Sequence, residues 1–171
     1  GRSACVILED SADGALHHLT CHRVGSDTSG VEDLEQLAIG VGMSGGSSTQ
    51  VHTLRNSIIS HVAGPCVRHV NQGSLTLTHG LAWRDTAASG AITGAFIEMA
   101  AEFVDKDAGD LHLRPGSPGI DAGDPNDSAC DEPQPNGDVV NLGYYGGTID
   151  ATAAPLAPHG ACGEIPLVCA A

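Results

Sequence analysis

A chain of 171 residues is about the size of one domain, and 3% aromatic content with 23 glycines and 9 prolines suits many short strands joined by turns far better than a helical bundle. Seven basic against 21 acidic residues give a formal charge of −14, which repels polyanions and disfavours nucleic acid and anionic membrane as partners. No uninterrupted apolar run approaches the ~20 residues of a membrane span, and no long apolar stretch follows Gly1-Arg2-Ser3-Ala4 as a signal peptide requires.

Residues 5–9 form the first expected strand, and Glu9 to Gly14 a turn. Leu16, Leu19, Cys21 and Val24 suggest a second layer, although His17-His18 breaks strict alternation. Residues 25–30 are a loop. Val31, Leu34, Leu37 and Ala38 stand at helical spacing, so a short helix is expected over 31–39, stopped by Gly40. Gly42 to Gln50 is Gly/Ser-rich and reads as a flexible loop; it lacks the Lys-Ser/Thr ending of a phosphate-binding loop. From Val51 a repeat emerges: VHTLRNSIISHVAG is followed by SLTLTHGLAWRDTA at an offset of about 24, which matches Thr53 with Leu77, Asn56 with Gly80 and Ile59 with Trp83. A third segment, AFIEMAAEFVD, falls about 20 residues further on. Periods in the low twenties suit stacked coils of short strands.

Phe103 to Asp124 reads as a strand, a polar turn, a second strand and a Pro/Gly-rich closure. Leu111 and Leu113 alternate with His112, and Asp105 to Asp110 supplies residues that tolerate tight turns. Together with Asp124-Pro125-Asn126, Glu132 to Gly137 and Asn141 to Thr148, this stretch resembles the terminal coil of bacterial extracellular right-handed parallel β-helix proteins, which are pectate-lyase-like in fold. The RNSIIS segment around Asn56 is similar to a rung of the same family, in which an asparagine inside the bend bonds its counterparts along the axis. The resemblance implies an all-β, right-handed parallel β-helix over residues 1–148 with a closing coil, followed by an Ala/Pro-rich arm over 149–171. It also implies an exported, extracellular or cell-surface protein, hence disulfides among the six cysteines. No C-x-x-C pair is present, so a zinc ribbon or redox motif lacks its signature. Cys162 with Cys169 and Cys5 with Cys21 are the expected pairs, out of 15 pairings that six cysteines permit.

The chemistry best known on such a fold is carbohydrate cleavage, which needs opposed carboxylates or a calcium-held carboxylate set beside a basic residue. No Asp or Glu occurs between Glu35 and Asp85, so Arg55, Arg68 and Arg84 have no carboxylate set nearby in sequence, and this argues against an enzyme. Calcium is the one cofactor the residues suggest, at Asp105, Asp107 and Asp110 and at Asp121 and Asp124; the competing reading is turn aspartates that accept backbone amides. Nine histidines invite a transition metal, but no H-E-x-x-H or H-x3-H spacing organises them. Asn126-Asp127-Ser128 matches an N-glycosylation sequon. The expected role is structural or adhesive, with the strand-like tail at Gly163, Glu164, Ile165, Leu167 and Val168 joining copies end to end into a fibre. The alternative is a polysaccharide-binding module, or a lyase or hydrolase of the pectate-lyase-like class.

Overall fold

The computed structural model describes residues 3–11, 14–23, 38–45, 49–62, 67–83, 88–89, 92–94 and 96–154. These residues are all-β, with no helix among them. The chain supplies strands alternately to two parallel sheets. One holds β1 (Ser3–Ser11), β4 (Ala38–Gly45), β6 (Val67–Asn71) and β8 (Ala88–Ser89), in that order. The other is built on β5 (Val51–Ser60) and β7 (Ser74–Trp83). On its first edge are β2 (Gly14–His17) and β3 (Thr20–His22), both paired with β5; on its last are β9 (Ile92–Gly94) and β10 (Ile97–Glu98), both paired with β7.

Each strand of the second sheet turns a corner, and the corner residues stack. His18, Asn56 and His79 all have positive φ (52°, 50° and 47°), and ladder register sets them beside one another. Asparagine and histidine are among the few side chains that tolerate this left-handed conformation. One such residue shifts the pleat by one position. Leu54 and Ile59 of β5 therefore enter the same interior, although five residues separate them; Leu77 and Ala82 of β7 do likewise. The neighbours Ile58 and Leu81 turn to the outer face instead. This corner is why His17-His18 interrupts the alternation between Leu16 and Leu19.

Four expectations need correction. The repeat offset is 23, not 24: Leu54 stands on Leu77, Thr53 on Thr76, Ser60 on Trp83, and the counterpart of Asn56 is His79. A slip of one residue exchanges the two faces of a strand, so only the 23-residue offset stacks leucine on leucine. The third segment follows closer than 20, since Ile92 pairs with Leu75 and Ile97 with Leu81. The helix expected over 31–39 does not extend to its stated end, because Ala38 and Ile39 already belong to β4; residues 31–37 lie outside the described residues. Gly42 to Gly45, read as loop, is strand too. A parallel ladder asks only for backbone donors and acceptors, and Gly42 is flanked by Ile7 of β1 and Arg68 of β6.

The closing segment also differs from a terminal coil. β11 (Phe103–Asp105) and β12 (Asp110–Leu113) form the expected strand–turn–strand, but they pair antiparallel with each other in a sheet of their own. Residues 101–154 lie as a pad across the flank of the second sheet. Ala101, Phe103, Leu113 and Leu142 pack on Ile58 and Leu81 to make a second apolar cluster. The pad reaches three layers of the stack: the Tyr144 amide donates to Thr20 Oγ1 of β3 at 2.8 Å, the Gly143 amide to the Asn56 carbonyl of β5 at 2.8 Å, and Gly119 lies against Leu81 of β7. Gly143, at φ 85°, approaches so closely that a Cβ would meet Thr20 Oγ1 at 2.6 Å and Ile58 Cδ1 at 2.9 Å. The start of the Ala/Pro-rich arm continues the pad, for the Ala154 amide donates to the Pro135 carbonyl at 2.7 Å. Cys5 and Cys21 form a disulfide between β1 and β3. Cys130 is also disulfide-bonded. Cys162, Cys169 and the segment 163–168 likewise lie outside them.

Candidate functional site

Where the pad meets the strand ends, a cleft of about 430 Å³ opens. That is within the size range of small-ligand sites. One wall is the stack: Ser60 and His61 close β5, and Trp83 closes β7 directly beside Ser60. The other wall is Ala100 to Asp107 with Arg114. A second column of left-handed residues shapes the first wall. Arg23 and His61, both at φ 57°, occupy equivalent positions one layer apart; the Arg23 amide donates to the Ser60 carbonyl at 3.1 Å and the His61 amide to the Trp83 carbonyl at 3.0 Å. The second wall is fixed by Arg114, whose amide donates to the Glu102 carbonyl at 2.7 Å and whose Nη2 donates to the Phe103 carbonyl at 3.2 Å.

The polar groups around the cleft are arranged in pairs. Asp107 accepts from Arg23 and from Lys106 Nζ, the latter at 3.0 Å, and these bonds, with Lys106 foremost, hold its carboxyl below the ordinary value. Arg114 Nη1 stands 3.9 Å from Glu102 Oε2, with both side chains more than half exposed. Ser60 Oγ lies 2.7 Å from His61 Nδ1 and 3.1 Å from His22 Nδ1. The His22 ring packs edge-on against Phe103, with centres 5.6 Å apart. Burial, helped by neighbouring His61, draws the His22 pKa down to about 4, so the imidazole is neutral at physiological pH. Trp83 adds to this lining a side chain that combines a large apolar face with a hydrogen-bond donor.

No protein-family model, no curated protein and no solved structure matches this chain.

The five aspartates expected to hold calcium are divided between two places. Asp105, Asp107 and Asp110 lie in or beside the β11–β12 turn, where Asp105 Oδ1 accepts the Asp107 and Ala108 amides at 3.2 and 3.0 Å and Asp110 Oδ1 takes His112 Nδ1 at 2.6 Å. Asp121 is half-buried near Asp138, and burial followed by Asp138 raises its pKa. Asp124 lies beside Arg55 at 3.3 Å. Among the described residues no group of three or more His, Cys, Asp or Glu side chains is arranged to hold a metal ion. Arg84 and Asp85 lie outside the described residues. Asn126 of the sequon is exposed, with its side-chain amide donating to Asp124 Oδ1 at 2.9 Å.

Sequence reasoning missed one constellation altogether. The central strands carry no carboxylate, but the pad brings two to them: Arg55 Nη1 pairs with Asp124 and Asp127. The expectation that Arg55 lacks carboxylate partners is thus corrected, because the partners come from about 70 positions downstream. Asn56, fully buried, joins the same cluster: its Oδ1 accepts the Asp124 amide at 2.8 Å, and its Nδ2 lies 2.6 Å from Asp127 Oδ2 and 3.2 Å from His18 Nε2. The sequence clue is the run of aspartates after Gly123, read for calcium or for turn formation rather than as partners of Arg55. Every carboxylate here is committed to a guanidinium or an amide, so the cluster fastens the pad rather than presenting a reactive acid.

Proposed function

We propose that this protein is a right-handed parallel β-helix domain of the cell exterior and that it adheres by binding a neutral polysaccharide in the cleft at Trp83. The fold reading is supported by the return of the chain to each of two parallel sheets in turn, the stacked corners at His18, Asn56 and His79, and the near-universal right-handedness of parallel crossovers. Secretion is supported by the Cys5–Cys21 disulfide. The observation that carries the binding reading is the cleft itself, which Trp83 lines together with charged side chains already neutralised in pairs. A sugar ring offers an apolar face to stack and hydroxyls that both donate and accept. A formal charge of −14 works against an acidic polymer. Binding is favoured over cleavage because Asp107 is held ionised, Asp105 caps its own turn and Glu102 faces Arg114, which leaves none of these placed as a proton donor. The fibre reading rests on residues 163–168, which lie outside the described residues.

The test is native gel electrophoresis through a panel of soluble neutral and acidic polysaccharides. At least one neutral polymer is expected to retard the protein, and Trp83→Ala is expected to weaken that retention tenfold or more, about 1.4 kcal/mol. Retardation by acidic polymers alone, or equal retention of the variant, overturns the proposal.

A further inference from the structure

The strongest unexplained feature lies inside the stack, away from the cleft. His52 on β5 and His69 on β6 are 0% and 2% exposed, and their ring centres are 5.9 Å apart. Neither ring nitrogen of His69 has a hydrogen-bond partner. An imidazole always carries at least one N–H or lone pair to satisfy, and an unsatisfied buried polar group costs about 1–3 kcal/mol. The positions around the pair are those of an ordinary apolar core: Leu54 and Val67 lie two residues along the same strands, and Leu75 stands beside His52 in the ladder. A leucine at position 69 would avoid the cost. An unpartnered histidine close to a second buried histidine in that setting calls for a shared ligand.

We propose that His52 and His69 form an interior site for one copper(I) ion. Ring geometry bears on the angle. A ring centre stands about 3.2 Å from an ion held by one ring nitrogen, given a bond of about 2 Å and a ring radius just over 1 Å. Two rings sharing an ion are then about 5.2 Å apart at a tetrahedral angle and about 6.4 Å apart when collinear. The observed 5.9 Å corresponds to an angle of about 135° at the ion, wider than tetrahedral and short of linear, which suits an ion of low coordination number such as copper(I). Charge bears on the oxidation state. Strands β4 to β7 contain no Asp or Glu to balance a buried cation, and the cost of burying an ion grows as the square of its charge. A monovalent ion therefore costs about a quarter of what a divalent one does. Burial, and secondarily His52, lowers the His69 pKa, which keeps the ring neutral and able to donate a lone pair.

The experiment supplies copper(I), as its acetonitrile complex under nitrogen, to the full chain with its disulfides intact. One tightly held copper per chain is expected in competition with bicinchoninate, and affinity is expected to fall at least a hundredfold in His52→Leu and in His69→Leu. Uptake unchanged in both variants places the metal on the exposed histidines and overturns the site, as does no uptake. X-ray absorption on the copper-loaded wild type gives a reading that does not depend on how the variants fold. Coordination by two imidazole nitrogens without sulfur supports the site, and sulfur or four-ligand coordination overturns it.

Discussion

Asn56→Ala is expected to destabilise the fold by about 4 kcal/mol, more than any other single polar substitution at the seam between stack and pad. Three losses add. The Asp124 amide loses its acceptor, at about 1 kcal/mol, and Asp127 loses a short bond to a buried donor, at about 1.5–3 kcal/mol because the acceptor is charged. Alanine must also adopt the left-handed φ of 50°, at about 1 kcal/mol. Asn56→Gly separates these contributions, since glycine takes that φ freely while losing every side-chain bond. It should be about 1 kcal/mol more stable than the alanine variant. Asn56→Asp keeps an acceptor for Asp124 but sets a carboxylate against Asp127, so it should fall below glycine at neutral pH. Urea unfolding followed by the single tryptophan, Trp83 in the cleft, gives the order. An alanine variant within 1 kcal/mol of wild type would remove Asn56 from its place as the fastening of the pad.

What was legible in the sequence divides along the same seam. The repeat from Val51 announces stacked strands, because Leu54, Leu75 and Leu77 enter one interior and recur at nearly the period of the stack. The offset was misread by one residue because polar corner residues shift the pleat, and Asn56 and His79 then match by conformation rather than by residue type. Glycines over 42–45 hid β4, whose strand character comes from β1 and β6 on either side rather than from its own side chains. The pad was recognised as a unit from Phe103 to Thr148, yet its placement was not legible. Arg55 meets Asp124 and Asp127 across some 70 residues of chain, and no local pattern encodes a contact of that range. The cleft followed from the placement and was equally hidden: Trp83 and Arg114 become neighbours only once the pad is laid on the flank.

The seam also sets how the protein responds to acid. Two of the neutral histidines sit in it: His22 against Phe103 and Ser60, and His18 against Asn56. Burial lowers the pKa of both, that of His22 to about 4. His69, inside the stack, is lowered for the same reason. A depressed histidine means the unfolded chain binds the extra proton first, so its share of stability is whole above the unfolded value near 6.5 and is lost as pH falls toward 4. Asp121 and Glu132 act the other way. Burial raises both, so their share is present below the ordinary carboxyl range and is lost as pH rises through their folded values. Between pH 6.5 and 5 the three imidazoles are expected to dominate, and urea midpoints should fall steadily across that window. His22 is expected to supply about 1 kcal/mol of the loss, half of what an unscreened group gives, because its ring is only partly buried. His22→Phe, which can keep the edge-on packing against Phe103 without a titrating nitrogen, should flatten the slope by that amount. A profile as steep in His22→Phe as in wild type would shift the acid response away from the cleft, onto His18 and His69.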